Sequence, residues 1–266
     1  MVTENTNAIE LVVKDGVGEV ILSQPERGNP FDNHFCQQLC DAANECSENK
    51  GVRAILIRAE GKYFSVGADL KWLGGVGRDV MPRQLKDATS NLHMAISRFV
   101  RADAPVVIAV HALAVGGSTA LTAMADFAIA GKSAKFYAAY NQIGYVSDGS
   151  GSYFIPRRVG SRKAAEFLML NQTWDADEAL RNGLINRIVA DENVLDEARK
   201  LAAQLAAGPT VTFGEMKRLL LSCTDQPLET QLEMEAQAIA RCARTNDSWN
   251  AVQAILNKTQ PKFEGN

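Results

Sequence analysis

Two stretches decide the reading of this chain: Phe64-Ser65-Val66-Gly67-Ala68-Asp69-Leu70, and residues 105–126 with Gly116-Gly117 at their centre. In the first, Gly67 lets the chain turn and leaves small residues beside a cavity. In the second, residues 104–111 are rich in β-branched side chains and predict a strand. Gly116-Gly117 then opens an apolar helix running to Ala125, whose free N–H groups and dipole point at one spot. Two such N–H groups converging on one oxygen make an oxyanion hole. Either turn alone is commonplace, because glycines precede many helices. Their order and their separation of about 50 residues carry the argument.

Working outward, residues 9–13 and 17–23 are β-rich runs around Lys14-Asp15-Gly16, a hairpin signal. Asp32 is placed to cap a helix with Phe31, Phe35, Leu39 and Ala43 on one face. Residues 53–59 alternate Ala54, Leu56 and Arg58 against Ile55 and Ile57, which predicts a strand. Residues 74–83 carry mixed turn residues and predict a mobile surface segment. A helix is expected over 84–101, a strand over 127–130, and a turn or helix start at Asp148-Gly149-Ser150-Gly151. Beyond Ser161 the pattern is helical, interrupted by a short strand over 183–189. Strands leading into helices, then a helical tail after Asp191, predict an α/β core with a C-terminal helical region.

The 266 residues are 46% hydrophobic and 22% charged with a net charge of −3, enough chain for one large domain. Basic and acidic residues are mixed along it, so no basic face gathers nucleic acid or an anionic membrane. The five cysteines contain no CxxC pair and suit neither a disulfide framework nor a zinc site; Cys36 and Cys40 read as half-buried apolar residues. The polar N-terminus lacks a signal-peptide core. Residues 104–130 are interrupted by His111, Gly116-Gly117 and Asp126, so no membrane span is expected and the location reads as cytoplasmic. The three histidines, His34, His93 and His111, lack metal-binding spacing. With no Walker loop and no GxGxxG after a strand, neither metal nor nucleotide cofactor is expected. Gly116-Gly117-Ser118-Thr119-Ala120 has the outline of a nucleophile elbow. A hydrolase of that kind needs a histidine later in the chain, and none follows His111.

Taken together, the motifs resemble the crotonase (enoyl-CoA hydratase/isomerase) superfamily over nearly the whole chain. Gln24-Pro25-Glu26-Arg27-Gly28-Asn29-Pro30 is similar to the family's loop along coenzyme A, and residues 64–70 to its motif ending in Gly-Ala-Asp-Leu. Residues 105–126 are similar to its strand, glycine turn and helix; residues 144–160 and Asn182-Gly183-Leu184-Ile185 resemble the remainder. The resemblance implies an α/β fold, a crotonase-type spiral of repeated ββα units. Residues 1–200 would form the acyl-CoA-binding core, and residues 201–266 a helical region packing in a trimer or a dimer of trimers. It implies that the thioester oxygen of an acyl-CoA accepts hydrogen bonds from the N–H groups of Ala68 and Gly117. It further places Glu26, Arg27, Ser65, Gly67, Asp69, Leu70, Gly116 and Ile143 along the substrate, with coenzyme A entering as part of it and no separate cofactor.

The departures from the family are as informative. Its hydratases hold a water between two glutamates, and those positions fall here on Ala120 and Tyr140. Water addition that needs two carboxylates has neither. His111-Ala112 stand where the family has Asn-Gly. Asp148 falls where two branches of the family carry a working aspartate. One resembles ring-1,2-epoxyphenylacetyl-CoA isomerase, which shuttles protons with one carboxylate and whose tail is similar to residues 228–235. The other resembles 4-chlorobenzoyl-CoA dehalogenase, where the aspartate attacks an aryl ring and a histidine, matched by His93, activates water; Tyr140 matches an aromatic residue there. The implied function is an enoyl-CoA isomerase with Asp148 as acid and base and Tyr140 as pocket wall or neutral donor. The alternatives are a dehalogenase-like hydrolase with Asp148 as nucleophile and His93 as base, or a non-catalytic acyl-CoA-binding protein. Without a catalytic task, Asp148 would cap the helix that follows it, and His93 would be an ordinary helix-face residue.

Overall fold

The computed structural model describes residues 7–266. Its strands are β1 (Ile9–Lys14), β2 (Val17–Leu22), β3 (Ala54–Ala59), β4 (Val106–Val110), β5 (Ala114–Val115), β6 (Phe127–Gly131), β7 (Lys135–Tyr137), β8 (Thr173–Asp175) and β9 (Arg187–Val189). β1 and β2 form the expected antiparallel hairpin, and Asp15 and Gly16 both take positive φ, as a tight two-residue turn requires. From β2 onward the large sheet is parallel, in the order β1-β2-β3-β4-β6-β9, while β5, β7 and β8 form a second, small sheet.

The helices are α1 (Asn33–Glu48), α2 (Leu70–Gly75), α3 (Met81–Arg101), α4 (Gly117–Met124), α5 (Gly151–Val159), α6 (Ser161–Met169), α7 (Ala176–Arg181), α8 (Val194–Ala206), α9 (Thr210–Ser222), α10 (Leu228–Cys242) and α11 (Asn246–Leu256). β4 leads into β5 and then α4, and β6 into β7 and then α5. Each turn thus sends one strand to each sheet before its helix, which is the repeated ββα spiral.

A parallel sheet covered on both faces needs apolar residues on both, and β3 supplies them. Its Ile55 and Ile57 face one core with α1, α3 and α4, whereas Ala54 and Leu56 face a second core closed by α8. α1 is capped as expected, the Asp32 carboxylate accepting from the Phe35 N–H at 2.8 Å. Cys36 and Cys40 are fully buried rather than half-buried, because α1 lies face-on between β1 and α3.

The segment expected to be a surface loop over 74–83 is shorter than its composition suggests. Gly74 and Gly75 end α2, and α3 begins at Met81, three residues before the expected start. Pro82 is at home there, since the first helical turn needs no intrahelical N–H. The strand expected over 183–189 contracts to β9, because Gly183 (φ 83°) turns the chain after α7. α8 runs through the expected boundary at 200/201 and packs on the sheet.

α9 joins the helical tail to the core through buried charge. Lys217 is 9% exposed and places its Nζ 3.0 Å from Asp126, 3.0 Å from the Phe99 carbonyl and 2.8 Å from that of Ala104. Glu215, 6% exposed, accepts from Arg241 of α10 and Arg218 of α9. Those bonds, Arg241 first, hold its carboxyl down to about 2 from an ordinary 4.5. A depressed carboxylate contributes stability above its ordinary pKa, and that contribution is lost as pH falls from 4.5 through about 2. Glu215→Gln is expected to cost about 1 kcal/mol after solvent screening, lowering Tm by about 2–4 °C near neutrality. Melts at two pH values check this: the gap between wild type and variant should narrow by pH about 2, where half of the wild-type group is itself protonated. A gap unchanged by acid would show that the charge on Glu215 is not what stabilises the clamp. Among the described residues no helix is long and apolar enough to cross a membrane.

Candidate active site

The site is built on two turns that β5 ties together. The Leu113 carbonyl accepts from the N–H groups of Phe64 and Ser65, and the Val115 N–H donates to the Ser65 carbonyl at 3.1 Å. On the other side, the Phe31 N–H donates to the Gly67 carbonyl at 2.8 Å and the Asp69 N–H to the Phe31 carbonyl at 3.0 Å. Main-chain groups alternate in direction along such a bridge, so the Ala68 N–H turns away from Phe31. Gly117 is the first residue of α4, and its N–H precedes the helical ladder. Neither N–H has an acceptor among the described residues, and both residues line one cavity of about 260 Å³.

The glycines make this approach possible. Gly67 has φ 77°, and a Cβ there would sit 2.8 Å from the Val115 carbonyl oxygen. Gly116 has φ 55°, in the left-handed region. A Cβ on Gly117 would lie 2.9 and 3.0 Å from ring carbons of Phe31, which itself stacks on Phe35 with centroids 4.1 Å apart. Ser118 is fully buried, and its hydroxyl is occupied within the turn, accepting from the Val115 N–H at 2.7 Å. It has no nucleophilic geometry.

The cavity wall is apolar, from Phe31, Cys36, Val66, Trp72, Ala88 and Leu92 among others, and Asp148 is its one carboxylate. Burial pushes the Cys36 thiol up to about 12, so it stays neutral. Asp148 does not cap α5. Ser150 occupies the cap position without a side-chain bond, and only the Asp148 main-chain carbonyl accepts from Gly151. The Asp148 carboxylate instead meets His93 of α3, Nε2 to Oδ1 at 2.5 Å. That bond raises the imidazole above its ordinary 6.5 and favours its protonated form.

His93 does not line this cavity. It lines a second hollow of about 330 Å³ with Ile96, Ser147, Asp148, Ser150 and Ser152, so Asp148 is shared between two spaces. Tyr140 lines the first cavity, but its hydroxyl donates to the Asp148 carbonyl at 3.0 Å, and burial pushes the phenol further up. It holds the Asp148 turn and cannot act as a base near neutrality.

Of the other residues expected along a substrate, Leu70, Gly116 and Ile143 line the cavity, Leu70 and Ile143 being 59% and 40% exposed. Ser65 does not: it is fully buried, donating to the Asn29 carbonyl at 2.7 Å and accepting from the Gly67 N–H at 3.0 Å. Gly67 is likewise buried as the pivot of the turn. Asp69 caps α2 through Oδ1 and pairs through Oδ2 with Arg27, which also reaches Asp32 at 3.0 Å. Ser65 and Asp69 thus hold the loop together through their side chains. Glu26 and Arg27 are exposed. His111, standing where the family has Asn, keeps the neighbouring loop in place by donating Nε2–H to the Gly61 carbonyl at 2.9 Å. Sequence reasoning missed Phe31, Cys36 and Leu92 as wall residues. Phe31 and Cys36 were read only as helix-face and half-buried residues, and neither signal tells which buried side chains border a void.

Comparison with known proteins agrees with this geometry. The family model described as enoyl-CoA hydratase/isomerase matches residues 13–266. The chain is 31% identical over 261 residues to 1,2-epoxyphenylacetyl-CoA isomerase of Escherichia coli (strain K12), covering 95% of this chain and 97% of that protein. It is 28% identical over 239 residues to 4-chlorobenzoyl coenzyme A dehalogenase-1 of Arthrobacter sp, covering 90% and 87%. A crystal structure of an enoyl-CoA hydratase from Polaromonas sp. JS666 superposes with a TM-score of 0.90 at 26% identity, covering 96% of this chain and 99% of that one. An α/β spiral of ββα units, two inward-facing amide turns and a match along almost the whole chain make this protein a member of the enoyl-CoA hydratase/isomerase (crotonase) family.

Proposed function

We propose that this protein isomerises an enoyl-CoA: Asp148 takes a proton from one carbon and returns it to another, while Ala68 and Gly117 hold the enolate oxygen. The observation that carries this reading is the single carboxylate of Asp148 in the same cavity as two amide N–H groups without acceptors. Those donors lower the barrier by stabilising charge as it develops on oxygen. No basic residue is among those lining the cavity. A neutral, apolar acyl group therefore fits it, whereas a second carboxylate on the acyl chain would find no counter-ion.

Two-carboxylate water addition is disfavoured by the same walls. Ala120 is fully buried outside the cavity lining, packed against the Gly149–Gly151 turn, and Tyr140 offers only a neutral hydroxyl. The expected result is double-bond migration in a medium-chain or aromatic-derived enoyl-CoA, with negligible hydration of crotonyl-CoA. Ala120→Glu should not restore hydration, because the chemistry needs two groups around one water. Robust hydration by the unmodified protein would overturn the reading.

The dehalogenase-like alternative rests on the contact between His93 and Asp148. It requires Asp148 to form an aryl ester that His93 then hydrolyses by activating water. In that case His93→Gln traps an aryl adduct, visible as added mass after treatment with a halobenzoyl-CoA. We expect no adduct, because on the isomerase reading the Asp148 carboxylate exchanges a proton with carbon and forms no bond to it. A non-catalytic acyl-CoA-binding role would leave the α-protons of bound acyl-CoA unexchanged with solvent.

The reading includes self-association through the helical tail, as a trimer or a dimer of trimers. Leu220, Ile239 and Trp249 on α9, α10 and α11 are 73%, 71% and 66% exposed, and sedimentation velocity measures whether they are covered in solution. Leu70, which lines the cavity, and the exposed Arg27, which pairs with neighbouring Asp69, would lie along the coenzyme A portion.

A further inference from the structure

A peptide group is planar, so fixing its carbonyl also fixes the direction of its N–H. The Ala68 N–H shares a peptide with the Gly67 carbonyl, and that carbonyl accepts from the Phe31 N–H at 2.8 Å. The main chain of Phe31 therefore aims the Ala68 donor. The Phe31 carbonyl accepts in turn from the Asp69 N–H at 3.0 Å, and its ring would meet a Cβ on Gly117 at 2.9 Å. Phe31 thus abuts both halves of the proposed oxyanion hole.

The residues that follow the two sides of this bridge are both helix caps. Asp32, after Phe31, accepts from the Phe35 N–H through Oδ1; Asp69, after Ala68, accepts from the Lys71 and Trp72 N–H groups through Oδ1. Each turns its other oxygen to Arg27, whose Nη2 lies 3.0 Å from Oδ2 of Asp32 and 2.5 Å from Oδ2 of Asp69. Nη1 donates to the Gln24 side chain at 2.8 Å. An ordinary surface ion pair gains little, because two mobile side chains must be ordered to make it. Here the caps already fix both carboxylates, which are 13% and 11% exposed, so only Arg27 has freedom to lose.

We propose that Arg27 is the positioning residue of the oxyanion hole: by clamping the carboxylates of Asp32 and Asp69 together, it holds the Phe31–Ala68 bridge in register and keeps the Ala68 N–H on the thioester oxygen. This rests on the reading of Ala68 as a donor and adds the group that aims it. Without the clamp the α1 and α2 starts keep their caps but are free to slide past each other. The Ala68 peptide then tilts, and a hydrogen bond weakens steeply as its angle closes. Contact with coenzyme A alone would give Arg27 a different signature, because it would act on affinity and leave the carbonyl untouched.

The test reads the carbonyl itself. Octanoyl-CoA carrying ¹³C at the thioester carbon is bound to the protein, and isotope-edited infrared difference spectra give its C=O stretch, which falls as donors polarise the bond. Wild type should lower the band well below its position in water. Asp32→Asn with Asp69→Asn is the decisive variant, because asparagine caps a helix as well as aspartate but carries no charge to draw in Arg27. Roughly half of the wild-type downshift should be lost, since one of two donors is misaligned. With an enoyl-CoA substrate, kcat should fall by about 10–10²-fold while KM stays within a few-fold. Arg27→Met should displace the band by the same amount, whatever it does to affinity, which keeps the proposal testable if the double variant fails to fold. A folded variant of either kind whose band and kcat match wild type overturns the clamp, as does an Arg27→Met protein in which only KM changes. A wild-type band left at its position in water refutes the oxyanion hole itself, and octanoyl-CoA that does not bind refutes the acyl-CoA reading of the cavity. Both of those failures are seen in the wild type, before any variant is made.

Discussion

Asp148→Asn is expected to lower kcat by about 10³-fold while leaving acyl-CoA affinity within a few-fold of wild type. The substitution is nearly isosteric. The amide oxygen can still accept from Nε2–H of His93, and the main-chain carbonyl that accepts from Tyr140 is untouched, so the turn keeps its shape. What disappears is the one lining group able to take a proton from carbon. Steady-state kinetics with an enoyl-CoA, together with calorimetric titration by a non-reactive acyl-CoA, separate the two effects. Retention of kcat within tenfold would remove Asp148 from the mechanism.

The second large effect is expected at Gly117, where two substitutions divide sterics from hydrogen bonding. Gly117→Ala keeps the N–H but sends a methyl group to within 3.0 Å of the Phe31 ring, so Phe31 must shift. Gly117→Pro crowds Phe31 in a similar way and also removes the donor. Position 117 is the first of α4, where proline is tolerated because the N–H is not used by the helix. The helix should therefore survive, as circular dichroism will check. Loss of one oxyanion donor should make the proline variant slower than the alanine variant by about 10²–10³-fold in kcat. Equal rates in the two folded variants would show that this N–H does not meet the thioester oxygen.

Much of the frame was legible because its causes are local. A β-branched run such as Val106–Val110 declares a buried strand, and Asp-Gly at 15–16 declares a tight hairpin. β7 and β8 were not legible: three residues each hold no measurable period, and they pair only because the spiral brings them together. In the site, Gly67, Gly116 and Gly117 could be read from the turns they demand, and Asp148 from a position shared with relatives. The contact between Asp148 and His93, which joins residues 55 apart on separate elements, was suggested only by the dehalogenase-like resemblance and by nothing local in the sequence. Nor could sequence separate Ser65 and Asp69, which shape the loop, from Ala68, whose amide faces the void. All three sit in one tight turn, and the difference is only the direction in which each group points.

The proposed donors of the cavity are main-chain atoms, whereas the proposed acid–base group is a side chain on a different segment. Single-nucleotide changes replace side chains and leave peptide groups in place. Genetic drift can therefore erase the carboxylate at 148, or place one at 120 or 140, while the two amide donors stay where they are. If the proposed oxyanion hole holds, a descendant that loses the Asp148 carboxylate keeps both donors, and a carboxylate gained elsewhere on the cavity wall meets the same acyl carbon from a new direction.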